Sequence, residues 1–361
     1  MLVQDRIQWH REVDVVVVGF GGAGAVAALT ACDEGAEVMV LEKQPQDTHM
    51  TNTSMSGGLF VTVKDMPGAV RYMESLYKVE DHLTWTDKDI IQVWAEYCSH
   101  NRQWVEGIGG HTTLWRVGAE HKLVPDYQSM EVYLPAGMGY GLQRWLKGNV
   151  KTRGIEVVYE APAKKLLTNF RGQVVGVSAL NHGQEFNVKA SKAVVLALGG
   201  FEFDEEMKLN YLKVYPAHFY GSPANTGDGI RMVQDVGADL WHMNCCSARL
   251  VAKFPDSPLS FTMDFGGRRT IARYEHFAEA GEPCAFIIVD KYGRRFTDDG
   301  QLKHHALYYE LALYDSQRLD YPRIPSYWIF DVNRLKHGPL PVIGSGPTGA
   351  HQVYKWSKDN G

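Results

Sequence analysis

Three glycines and one acid carry the most specific chemistry in the sequence. Gly19, Gly21 and Gly24 stand at G-x-G-x-x-G spacing, and Glu42 follows eighteen residues after the last of them. Glycine at those places permits a tight turn, an unobstructed approach of backbone to a diphosphate, and close packing of a helix on a strand. A carboxylate about twenty residues further on can accept hydrogen bonds from ribose hydroxyls, and an acid there favours an unphosphorylated ribose. The chemistry implied is binding of an ADP moiety, with its diphosphate at the positive end of a helix that opens near Gly22 and Ala23. A nicotinamide dinucleotide would satisfy the same motif.

These residues need a buried strand before them and a helix after them, and the sequence supplies both. Residues 15–18 are an unbroken run of valine, the pattern of a parallel strand covered on both faces. Ala23, Val26, Ala27, Thr30 and Ala31 then fall on one small-residue helical face, Gly35 is placed to stop the helix, and residues 38–41 read as a second strand. Residues 193–198 repeat the buried-strand pattern and close on Gly199 and Gly200, with a helix start at Asp204. The run Asn225, Thr226, Gly227, Asp228, Gly229 opens a helix over 230–236 that stops at Gly237. Backbone donors at such a helix start point outward, and the Asp228 carboxylate can orient a sugar or ribityl hydroxyl or serve as a cap.

Between these glycine turns the pattern changes twice. Thr86-Asp87-Lys88-Asp89 reads as a capping box, and Ile91, Trp94, Ala95, Cys98, Arg102, Val105 and Ile108 then form one mostly apolar helical stripe, expected to be core. Residues 110–135 show no clear period. From Ile155 onward, four strand-like segments separated by Arg171-Gly172 and Asn181-His182-Gly183 read as an antiparallel meander.

A chain of 361 residues can bury a large core and make two domains, or one with a big insertion. A net charge of -5 and the lack of a basic run interleaved with aromatics argue against a nucleic-acid surface. No apolar stretch reaches membrane-spanning length, and the polar start of the chain does not read as a signal peptide, so a cytoplasmic location is expected. Cys32, Cys98, Cys245, Cys246 and Cys284 make neither C-x-x-C nor C-x-x-C-H, which points to reduced thiols without attached haem, iron–sulfur cluster or metal.

After Glu42 comes N-T-x-x-S-G-G, present as Asn52, Thr53, Ser56, Gly57 and Gly58. With the first glycine turn, the LALGGFEFDEEM run and T-G-D-G, this makes four motifs in order across residues 1–229. The set resembles the flavoproteins related to soluble fumarate reductases and 3-ketosteroid dehydrogenases. That resemblance implies an α/β fold: a Rossmann-like FAD-binding domain over residues 1–280, with a parallel central sheet and an inserted antiparallel β-meander. A partial α+β capping domain would begin over residues 281–361. It further implies FAD held by Gly19, Gly21, Gly22, Ala23, Gly24, Glu42, Lys43, Asn52, Thr53, Ser56, Gly57 and Gly58. The backbone of Ala163 would meet the adenine, and Gly199, Gly200, Asn225, Thr226, Gly227 and Asp228 would complete the site. Relatives with covalent flavin carry a histidine immediately before the hydroxyl residue of the N-T loop; Thr51 occupies that place and His49 comes two residues earlier, so non-covalent FAD is expected.

The catalytic side is less complete. CAFIIVDKYGRRFTDD resembles the V-N-x-x-G-x-R-F-x-x-E element that opens the family's capping domain, through Asp290, Gly293, Arg295 and Phe296, with Asp299 in the glutamate's place. Where fumarate reductases place a proton-donating arginine and ketosteroid dehydrogenases have a tyrosine nearby, this chain has Lys303, followed by His304 and His305. A lysine donates a proton near neutrality only when burial or a neighbouring cation lowers its pKa, whereas histidine does so ordinarily. Arg295 can join them in holding a carboxylate, or all four can be surface charges. Tyr140, set among Gly137, Gly139 and Gly141, matches a segment near the substrate side in the resembling proteins and is either an active-site or a packing residue.

Glu279 aligns with a proton-relay glutamate of the fumarate enzymes, yet Glu282 stands where its arginine partner would be, so fumarate is not the expected substrate. The family's closing segment, which sets a final helix against the flavin, has no match, and FAD held loosely is the expectation. The reading is an FAD-dependent oxidoreductase acting on a CH–CH bond of a ketone, steroid-like or carboxylate substrate. Hydride would move to or from flavin, and electrons would pass to or from a separate partner. Dehydrogenation and C=C reduction fit equally, and the alternative is a non-catalytic flavin- or ligand-binding relative.

Overall fold

Valine at four successive positions makes the first strand apolar on both faces, and the fold places it at the centre of a six-stranded sheet. The computed structural model describes residues 7–80, 83–84, 87–247, 250–257, 259–263, 285–297, 307–336, 341–345 and 351–353. The chain divides into two compact units, one of Met1–Asn52 with Glu156–Gly361 and one of Thr53–Ile155.

In the first unit, β1 (Arg11–Val18), β2 (Val38–Leu41), β3 (Glu156–Val158), β4 (Ala163–Thr168), β5 (Val174–Asn181) and β6 (Gln184–Leu196) lie in the order β3-β2-β1-β6-β5-β4. β1 runs parallel to β2 and β6, and β3 runs parallel to β2. β4 and β5 extend the sheet antiparallel from β6. Val16, Met39, Val177 and Val188 are fully buried in one core, each contributing on the order of 2 kcal/mol by leaving water.

The helix Gly22–Asp33 buries Gly24, Ala25, Ala28 and Leu29. That face is rotated from the expected small-residue stripe, of which Ala23, Val26 and Thr30 are exposed. The cause is Gly24, which must face inward for the helix to meet the turn at Gly19. Two further differences concern the sheet. The first segment of the expected meander is a parallel edge strand, β3, and two expected strands are one 13-residue strand, β6. Its polar middle stays in the strand because β1 answers it: Lys189 Nζ lies 2.9 Å from Glu12, Ser191 Oγ donates to Asp14 at 2.7 Å, and Lys192 Nζ lies 3.1 Å from Asp14.

The second unit holds an antiparallel sheet in which Met130–Pro135 lies between Phe60–Val63 and Thr112–Val117. It packs with the helices Met66–Tyr77 and Lys88–Ser99 around Val63, Ala69, Tyr72, Ala95 and Met130. Asp87 caps the second of these by accepting from Asp89 N at 2.8 Å. The expected single stripe over 91–108 is two helices, Lys88–Ser99 and Asn101–Gly107, separated at His100. The stretch without a period contains both Thr112–Val117 and Met130–Pro135.

The segment resembling the start of a capping domain pairs Phe286–Val289 antiparallel with Tyr327–Phe330. The boundary expected near residue 280 lies outside the described residues. Among the described residues no helix is long and apolar enough to cross a membrane.

Candidate cofactor site

β1 ends at the first glycine turn, where backbone meets backbone. Gly19 has φ +98°, and a Cβ there would sit 2.4 Å from the carbonyl oxygen of Ala197. A Cβ on Gly24 would lie 1.9 Å from the carbonyl oxygen of Gly19, so the helix can come this close only without a side chain. Gly21 is different: nothing lies within 4 Å of the place its Cβ would take. Gly21 also supplies no side-chain cap to the helix Gly22–Asp33, and no acid occupies its first turn. The positive end of that helix, with exposed Ala23 beside it, therefore keeps room and polarity for an anion.

Glu42, 5% exposed at the end of β2, closes the turn. Its Oε2 accepts from Phe20 N at 2.9 Å and its Oε1 from Gln44 N at 2.9 Å. His49 Nε2 lies 3.3 Å from Oε2, and its ring stacks on Phe20 with centroids 5.8 Å apart and meets Tyr159 edge-on. Burial would raise the Glu42 carboxyl, but the His49 imidazole and the two backbone N–H groups outweigh it and hold the group below its ordinary range. Burial and the Glu42 charge push the Tyr159 phenol up to about 12. The acid is therefore ionised, and Oε1 retains a lone pair beyond the one that Gln44 uses. An open Gly21, a buried ionised acid and an uncapped helix end fit the ADP half of a dinucleotide.

The second glycine turn is held by side chains. Gly227 N donates to Gly200 O at 3.0 Å, tying that turn to T-G-D-G. Lys43 Nζ reaches Asp228 Oδ2 at 2.7 Å and Thr226 Oγ1 at 2.9 Å, while Thr226 donates to Asp228 Oδ1 at 2.9 Å. Burial would raise the Asp228 carboxyl, but hydrogen bonds from Lys43 and Thr226 hold it below its usual range. Asn52 Nδ2 donates to Glu202 Oε1 at 2.8 Å, and Asn225 Nδ2 does so at 3.3 Å. Asn52 Oδ1 accepts from Ser222 N at 2.6 Å, and Glu202 Oε2 is buried without a partner among the described residues. Gly199 and Gly200 lie against this group, since their Cβ atoms would meet Asn225 and Glu202. Ala163, at the start of β4, is buried.

In the second unit, Ser56 Oγ donates to Thr53 O at 2.8 Å and accepts from Gly58 N at 2.9 Å, so this hydroxyl shapes its own loop. A Cβ on Gly58 would lie 2.6 Å from Gly139 N, while one on Gly57 would meet only Leu59 at 3.9 Å. The S-G-G segment is thus packed on the start of the helix Met138–Thr152, in whose first turn Tyr140 is half-buried.

Of the other catalytic candidates, Arg295 alone is among the described residues. Arg295 is exposed on the first unit, bridged to Val289 and lining a surface cavity of about 330 Å³ with Arg294, Arg318 and Arg323. Lys303 and His304 lie outside the described residues, as do His305, Asp299, Glu279 and Glu282. Sequence reasoning missed Phe20, Tyr159, Glu202 and Ser222, and it gave His49 no role. Phe20 and Glu202 sit inside the glycine motifs, which is the one signal that marks them; the contacts of the others are long-range.

The sequence pattern of the FAD binding domain family matches residues 14–330. The digoxin reductase of Eggerthella lenta is 26% identical over 324 residues, which cover 81% of this chain and 56% of that protein. The urocanate reductase of the same organism is 31% identical over 247 residues, covering 64% of this chain and 39% of the relative. This chain therefore spans about half the length of the relatives it matches or less. The 3-ketosteroid delta1-dehydrogenase of Sterolibacterium denitrificans, solved with 1,4-androstadiene-3,17-dione, shares the fold at a TM-score of 0.77 and 17% identity, covering 92% of this chain and 71% of that one.

Proposed function

The chain belongs to the FAD binding domain family, and from that premise we propose that it is the cofactor-holding part of an FAD-dependent oxidoreductase acting on a CH–CH bond. One observation supports this most: the open turn at Gly21 adjoins a buried, ionised Glu42 that itself accepts from the turn at Phe20 N. Backbone N–H groups of residues 19–24 would take the diphosphate, and Glu42 Oε1 a ribose hydroxyl. The Lys43, Thr226 and Asp228 set would hold further hydroxyl or phosphate oxygens, with Gly199, Gly200, Asn225 and Gly227 shaping the turn beside it. Thr53, Ser56, Gly57 and Gly58 offer small groups that leave a flat ring unobstructed.

When bound, FAD supplies the hydride chemistry at a substrate carbon. The proton at the adjacent carbon falls to a side chain, for which Tyr140, Arg295, Lys303 and His304 are the candidates. His49 is buried against Phe20 and Glu42 and Thr51 precedes Asn52, which supports non-covalent attachment. The substrate class is a ketone, steroid-like or carboxylate compound, in keeping with relatives named for digoxin and urocanate, and a separate partner exchanges the electrons.

Anaerobic mixing of the FAD-loaded protein with saturated and unsaturated members of these classes tests the reading. Bleaching of the flavin band by a saturated compound, or reoxidation of reduced flavin by an unsaturated one, is expected. A flavin that binds yet responds to neither would make this a flavin-binding protein without turnover.

A further inference from the structure

We propose that His49 is a positioning residue, which holds the Glu42 carboxylate from behind so that Oε1 is presented to the adenosine ribose. The inference rests on the FAD reading above and adds a residue that the glycine motif does not contain. His49 follows Glu42 by seven residues, yet its side chain is 0% exposed and returns to within 3.3 Å of Oε2. Phe20, whose own N–H donates to that oxygen, lies parallel to the imidazole within 6°, and Tyr159 meets the ring at 72°. Two aromatic rings therefore fix the imidazole while backbone donors at Phe20 and Gln44 fix the carboxylate.

The imidazole is costly where it stands. Nδ1 and Nε2 are buried without a well-aligned hydrogen bond among the described residues, the approach of Nε2 to Glu42 being a close polar contact. A ring kept only to fill space beside Phe20 and Tyr159 would be better as a phenyl, because an apolar group loses no hydrogen bonds to water on burial. What the imidazole adds is a polar N–H edge turned to a buried acid. The titratable groups described around Glu42 are His49 and Tyr159, and Lys43, next in the chain, turns to Asp228. Without the imidazole, burial is the largest influence left on the carboxyl and acts to protonate it.

The test is FAD affinity, read by flavin fluorescence from pH 4.5 to 8, in the wild type, His49→Phe, His49→Gln, Glu42→Gln and the double variant H49Q/E42Q. Wild-type affinity is expected to hold across the range down to near pH 5. In H49F it should be about tenfold weaker at pH 7, with the fall on acidification beginning at least about one pH unit higher. H49Q, which keeps an N–H donor, should recover most of the loss and cost little once Glu42 is already an amide. Equal affinities and equal pH profiles in H49F and wild type would overturn the proposal. So would an H49Q effect of the same size in the E42Q background, a comparison that stands even if H49F does not fold. Failure of the wild type to bind FAD at any pH would instead overturn the FAD reading itself.

Discussion

At the first glycine turn, a Cβ on Gly24 would land 1.9 Å from a carbonyl oxygen, whereas at the second, a Cβ on Gly200 would meet the far end of the Glu202 side chain at 2.8 Å. The two acids differ in the same way. Glu42 is held by the His49 imidazole and two backbone N–H groups and sits out of water, while Asp228 is held by Lys43 and Thr226 with about 30% of its side chain exposed. Backbone cannot step aside without moving a strand or a helix, but a carboxylate at the end of a flexible side chain can rotate away. The first turn is therefore a rigid cradle and the second an adjustable one, although both are marked by glycine.

Gly24→Ala should break the rigid side most severely, lowering stability by about 3 kcal/mol or more and removing FAD binding, as read by urea unfolding and flavin fluorescence. Wild-type stability in that variant would end the contrast. Glu42→Ala comes next, because it strands the N–H groups of Phe20 and Gln44 in a buried site at a cost of about 2–4 kcal/mol. Asp228→Asn, which leaves a partly solvated lysine beside an amide, should cost about 1 kcal/mol or less. If the two acid variants prove equally unstable, burial is not what separates the sites.

Acid sharpens the same comparison. Both carboxyls are lowered in the folded protein, so their stabilisation is complete above the unfolded values, taken as 4.5 for Glu42 and 3.8 for Asp228, and is lost as pH falls through the folded values. The urea midpoint of the wild type should stay level between about pH 7 and 5 and drop below about pH 4, and the gap between wild type and E42A should narrow over that drop. Smallest of all is Gly200→Ala, expected to cost under about 1 kcal/mol because Glu202 can turn aside.

The rigid turn was also the more legible in the sequence. Four valines, three glycines and Glu42 lie within thirty residues, and their spacing alone fixes who meets whom. Long-range polar contacts left no such trace: Lys43 and Asp228 meet across 185 residues, and Asn52 and Glu202 across 150. His49 lies in a loop, where no period tells which way a ring points. In the fold, Thr112–Val117 escaped notice because its face is largely exposed, so no apolar alternation marks it as a strand. β6 looked like two strands because Lys189, Ser191 and Lys192 interrupt it, and their partners Glu12 and Asp14 come from a strand 177 residues earlier. The break at His100 has neither glycine nor proline to announce it.

Titration of the purified chain with FAD, followed by quenching of flavin fluorescence with ADP as competitor, tests the central claim most directly. One FAD per chain, displaced by ADP and weakened severely in E42A, is the result this cradle requires. A chain that binds no FAD, or binds it indifferently to ADP and to the loss of Glu42, would contradict it.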